Sequence, residues 1–124
     1  MIEFMILGRL DGLNDYTKAN RSNVYVGNKM KKDNQQKVFA ALVRSKMLNH
    51  RISYYPARIS LKWYEKDTKR DIDNVAFAVK FILDELVGQG VLKGDSQKYV
   101  NELEHEFLVD KENPRIEVQI HDNG

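Results

Sequence analysis

Cysteine is missing from this chain, and that one absence removes disulfides, thiolate nucleophiles and cysteine-type zinc sites together. Long apolar runs are missing as well. None approaches the roughly 20 residues of a membrane helix, and no signal peptide opens the sequence. The expectation is a cytoplasmic protein with no membrane partner. Histidine is scarce: His50, His105 and His121 stand far apart and show no metal-ligand spacing, so they read as surface or partly buried side chains. Internal repeats and low-complexity segments are also lacking. What is present is 124 residues, 42% hydrophobic and 31% charged, which suits one globular domain over residues 1–124 with a real core.

The net charge of +2 conceals a split. Residues 1–62 carry 12 Lys/Arg against 4 Asp/Glu, and residues 63–124 carry 8 against 14. Basic clustering is the footprint of a phosphate-backbone partner, and acidic clustering that of a metal site or a solvated face.

Alternation of Ile2, Phe4 and Ile6 predicts a first strand over Met1–Leu7. Gly8 to Lys32, dense in Gly and Asn, reads as a long connection. It carries Lys18, Arg21, Lys29, Lys31 and Lys32 with Tyr16 and Tyr25 interleaved, which suits a nucleic-acid contact loop or a solvated connection. Asp33 with Gln36 resembles a capping box and predicts a helix from Asp33 to about Asn49, with Val38, Leu42 and Met47 in its apolar stripe. Arg51–Pro56 is a connection. Ile59, Leu61 and Trp63 alternate with polar residues in a half-buried strand running to Lys66.

The stretch Lys69-Arg70-Asp71-Ile72-Asp73-Asn74 organises the rest. In an extended segment residues i and i+2 share a side, so Asp71 and Asp73 converge, as hard cations such as Mg²⁺ or Mn²⁺ require of their oxygen ligands. Asn74 is a further cap or ligand, and Lys69 and Arg70 are candidate DNA contacts. An amphipathic helix follows. With Asp73 at 0°, Phe77 falls at about 40°, Lys80 at about −20° and Asp84 at about 20°, while Val79, Ile82 and Leu86 lie opposite, at about 180–240°. Lys80 and Asp84 therefore share the acidic stripe, either as site support or as an ordinary i,i+4 pair. Gly88 and Gly90 supply stop signals, and a third carboxylate, Asp95, follows them. Tyr99–Val109 is strand-like, with Leu103, His105, Phe107 and Val109 on one side and Glu102, Glu104 and Glu106 on the other. Asp110–Pro114 is a turn, and Ile116, Val118 and Ile120 return as a strand to make a hairpin. The expected fold is α+β (mixed α/β), in the order β-α-β-α-β-β, a small mixed sheet packed with two helices.

Laid out so, Arg70-Asp71-Ile72-Asp73-Asn74, the Lys80-to-Asp84 spacing and Gly88 to Gln97 with Asp95 resemble the RusA family of Holliday junction resolvases. The likeness covers nearly the whole chain. Two departures stand out: the family lysine falls at Phe77 and its nearest counterpart is Lys80, and Gly94 stands where an acidic residue often precedes the aspartate matched by Asp95. The resemblance implies a homodimeric, Mg²⁺- or Mn²⁺-dependent endodeoxyribonuclease that resolves four-way DNA junctions by paired nicks in recombination and repair. It assigns Asp71, Asp73 and Asp95 to the metal and Lys80 to the transition-state charge, with Arg and Lys side chains of the first half on phosphates. A nuclease for other branched DNA and a non-catalytic DNA-binding or replication-accessory protein are the alternatives.

Overall fold

The computed structural model describes residues 1–124. In chain order the elements are β1 (Ile2–Leu7), α1 (Leu13–Ser22), α2 (Val24–Arg44), β2 (Ala57–Glu65), α3 (Ile72–Ala76), α4 (Val79–Gly88), β3 (Val100–Val109) and β4 (Arg115–His121). The four strands form one mixed sheet in the order β1-β4-β2-β3. β4 runs antiparallel to both neighbours, whereas β2 and β3 are parallel, joined by a crossover through α3 and α4. Helices cover one face of this sheet. Ile2, Phe4 and Ile6 of β1, Ile59, Leu61 and Trp63 of β2, and Ile116, Val118 and Ile120 of β4 form one core with Val38, Ala41 and Leu42 of α2 and Phe81, Ile82 and Leu86 of α4. The other face is left to water. No helix is long and apolar enough to cross a membrane.

The expected hairpin does not form. β3 and β4 are consecutive in sequence, but β2 lies between them. Apolar content decides the slots: Ile116, Val118 and Ile120 are buried and take β4 inside the sheet, whereas Asn101 to Glu104 are all exposed and suit β3 to an edge.

The long connection over Gly8–Lys32 is also corrected, because most of it is helix. Asn23, Asn20, Gly12 and Gly27 serve there as caps and close-packing points. The Asn23 side chain accepts the Val26 N–H at 2.9 Å and starts α2, and the Asp15 carboxylate accepts the Gly12 N–H at 3.0 Å at the start of α1. A Cβ on Gly27 would overlap the Asn20 side-chain amide, so the absence of a side chain there lets α1 and α2 meet. Asp33 is consequently a mid-helix residue and not a cap, and it pairs with Lys29 at 2.9 Å. α2 stops at Arg44, short of Asn49. Asn34, the one buried polar side chain, ties α2 to the β1–α1 connection: its Oδ1 accepts the Asp11 N–H at 2.8 Å, and its Nδ2 donates to Asp11 Oδ2 at 2.7 Å.

Candidate active site

At the end of β2 the chain turns through Asp67, whose carboxylate accepts the Lys69 N–H at 3.0 Å, and enters α3. Arg70 is drawn inward. Its guanidinium binds both oxygens of Glu65, at 2.7 and 2.9 Å, and also donates to the Leu10 carbonyl at 3.2 Å. Such a largely buried, bidentate pair fixes the turn. Arg70 is therefore placed as a brace, while Lys69 beside it is exposed.

Asp71 is the N-cap residue of α3 and Asp73 lies in its first turn; both are exposed. The alternation that would aim them to one side therefore does not operate, since only Asp71 is extended, at φ −65° and ψ 151°. What they share is the positive end of a short helix, which favours carboxylates. Asn74 is engaged elsewhere: its side-chain oxygen accepts the Asn14 N–H at 2.9 Å and joins α3 to α1.

Asp95 stands at the other end of the crossover. The register pairs Ala57 with Val100 and Glu65 with Val109, so the start of β3 lies beside the start of β2. Asp95 precedes β3 by a short loop in which the Lys93 N–H donates to the Tyr55 hydroxyl at 3.0 Å and Tyr55 meets Tyr99 edge-on at 5.3 Å. Eight residue steps of about 3.3 Å make the strands roughly 26 Å long. One copy of the chain thus holds Asp71 and Asp73 at one end of the β2–β3 pair and Asp95 at the opposite end. Consistent with that, no group of three or more His, Cys, Asp or Glu side chains could hold a metal ion within the chain.

Lys80 and Asp84 lie along α4, between these two ends. The helix restarts at Val79 after α3 closes at Ala76, so a wheel drawn through Asp73 does not carry over. Phe77, assigned by that wheel to the polar stripe, packs on Tyr16 and Phe81, with ring centroids 5.5 and 5.8 Å apart. Lys80 sits 3.6 Å from Asp84 Oδ2, and Lys31 of α2 reaches the same oxygen at 3.4 Å. That oxygen is buried and makes no hydrogen bond. At those separations the contacts are ionic, and two ammonium groups share one carboxylate. Sequence spacing found the Lys80–Asp84 pair but had no signal for Lys31, which arrives from another helix.

Of the remaining basic candidates, Lys29 is held by Asp33, whose hydrogen bond and charge raise the ammonium's pKa. Arg21 and Lys32 are exposed, and neither enters an ion pair within the chain. Lys18 is equally free and lies with Arg21 in an open groove on α1 lined also by Leu13, Asn14 and Thr17. This groove begins beside Asn74, so a basic ridge starts where Asp71 and Asp73 stand.

A carboxylate pair without a cation partner, next to a basic ridge, suits an oxygen-ligated metal acting on a phosphate. The family model described as "Endodeoxyribonuclease RusA" matches residues 13–121. No curated protein matches the chain.

Proposed function

Because the chain belongs to the RusA endodeoxyribonuclease family, we propose that it resolves four-way DNA junctions as a homodimer, with each metal site shared between two copies. The observation that carries this is the separation of Asp71 and Asp73 from Asp95 along the parallel β2–β3 pair. β3 is an edge strand with a free hydrogen-bonding side. Antiparallel pairing of two β3 edges about a two-fold axis sets the start of one strand beside the end of the other. Asp95 of one copy then approaches Asp71 and Asp73 of the second. The side chains on that edge support this arrangement: Leu103 is 40% exposed and Val109 52%, and both lie on the helix-side face with His105 and Phe107, past the reach of the helices.

The donor set fits Mg²⁺ or Mn²⁺, since it is all carboxylate oxygen and none of the three aspartates enters an ion pair within the chain. Once bound, such an ion activates a water and neutralises charge on the scissile phosphate. Arg70 and Glu65 hold the turn that presents Asp71. Asn74 fixes α1 against the site. Lys18 and Arg21 bind the adjoining phosphates, and Lys80, steadied by Asp84, adds positive charge along α4. Two sites related by the two-fold axis would nick opposed strands in pair.

The test is cleavage of a synthetic four-way junction with and without EDTA, beside a fork and a linear duplex. Metal-dependent paired nicks in the junction, faster than in either control, are the expected result. A faster fork would make other branched DNA the substrate, and binding without cleavage at any metal concentration would make the protein a DNA-binding accessory.

A further inference from the structure

Building on that nuclease reading, we propose that the elbow between α1 and α2 is a base-stacking wedge. Tyr25, flanked by Val24 and Val26, takes an unstacked nucleobase at the branch point, while Lys18 and Arg21 hold the strand running from there to Asp71 and Asp73.

Four observations lead to this. The elbow displays apolar side chains in water: Tyr25 is 76% exposed, Val24 73% and Val26 38%. The other tyrosine of this segment behaves differently, since Tyr16 packs on Phe77 and Phe81 as part of the core margin. The elbow is also rigid, because the Asn23 cap fixes the first turn of α2 and Asn20 seats against Gly27. A preformed aromatic platform loses little entropy on stacking.

Charge then selects the occupant. Lys18 and Arg21 lie on the helix that leads to the elbow, and neither is consumed by a carboxylate of the chain. An exposed ring at the end of a helix that carries unpaired cations matches a base on a strand of phosphates. Placement supplies the last observation. Asn14, at the start of α1, is bonded to Asn74 beside the acidic pair, and Tyr25 follows the other end of the helix. Ten helical residues span about 15 Å, the length of roughly four phosphates along one strand of a duplex. The wedge therefore sits where a branch point would fall a few nucleotides from the cut.

The experiment places 2-aminopurine either at the branch point or within an arm of a four-way junction and follows its fluorescence on binding in EDTA. Wild-type protein should change the branch-point signal and leave the arm signal alone. Tyr25→Ala should lose that change and bind the junction about tenfold more weakly, with its duplex affinity unaltered, and Tyr25→Phe should restore both. Sedimentation of Tyr25→Ala is run alongside. A variant that binds and reports like wild type, or weakens junction and duplex alike, overturns the wedge alone. So does a loss of dimer in sedimentation, which would assign the elbow to contacts between copies. Wild-type protein that neither binds nor cuts the junction overturns the nuclease reading, and the wedge with it.

Discussion

The side-chain oxygen of Asn74 accepts the backbone N–H of Asn14 at 2.9 Å, so α1 starts at the acidic end of the candidate site. Gly12 makes this contact possible. A Cβ there would lie 2.5 Å from Asn74 Oδ1 and 2.7 Å from the Asn74 carbonyl oxygen. Gly12→Ala should therefore destabilise the fold by about 1–3 kcal/mol, because backbone must move to admit the methyl group. Gly88→Ala is the control, since nothing lies within 4 Å of its added Cβ. Urea midpoints for both variants check the contrast, and a Gly12→Ala protein as stable as wild type would remove the packing claim.

Mixing variants distinguishes a shared site from one built within a single copy. Asp71→Asn, Asp73→Asn and Asp95→Asn should each abolish cleavage and leave junction binding largely intact, because a ligand charge is lost without a change of shape. When Asp71→Asn and Asp95→Asn proteins are mixed, each heterodimer regains one complete site, and single-strand nicking should return to a fraction of wild type. A mixture as silent as its parents would put all three aspartates on one chain.

Lys31 and Lys80 should prove interchangeable as guardians of Asp84. Replacing either by Met leaves the buried oxygen one ammonium partner, whereas replacing both strands it at a cost of about 1–3 kcal/mol. A double-mutant cycle by urea denaturation should show a clearly non-additive pair. Simple additivity would mean that the two contacts do not share Asp84.

Salt dependence tests the phosphate contacts. Arg21 and Lys32 carry no ion pair, so neutralising both should lower the salt slope of junction binding by about two. Cleavage at saturating protein should persist. An unchanged slope would move the phosphate track off these residues.

On β3, His105 links stability to pH. Its Nδ1 accepts the Trp63 indole N–H at 2.9 Å, and burial lowers its pKa below the ordinary 6.5. The unfolded chain takes up this proton at higher pH than the folded one, so the contribution is complete above pH 6.5 and declines as pH falls toward the lowered folded value. Urea midpoints between pH 7.5 and 5 should decline less in His105→Gln than in wild type. Parallel pH profiles would clear His105 of the effect.

Local chemistry by itself gave the strands, Ile82 and Leu86 as core-facing residues of the crossover helix, and the family motif with its three candidate aspartates; it left out Phe81, which is fully buried in the core. Alternation and helical spacing follow from backbone geometry and burial, and these act over a few residues. Tertiary structure decided what depends on partners distant in sequence. Asn14, Asn20 and Asn23 read as loop formers until Asn74 engages the first, Gly27 receives the second and Val26 is capped by the third. The chain order 100–121 suggested a hairpin because adjacent strands commonly pair, yet β2 took the place between β3 and β4, since burying Ile116, Val118 and Ile120 outweighs a short turn. That choice makes β2 and β3 parallel, and the parallel pairing sends Asp95 to the end of the sheet opposite Asp71 and Asp73. The spacing of the three aspartates in sequence carries no trace of it, because strand direction is fixed by which neighbours complete the core.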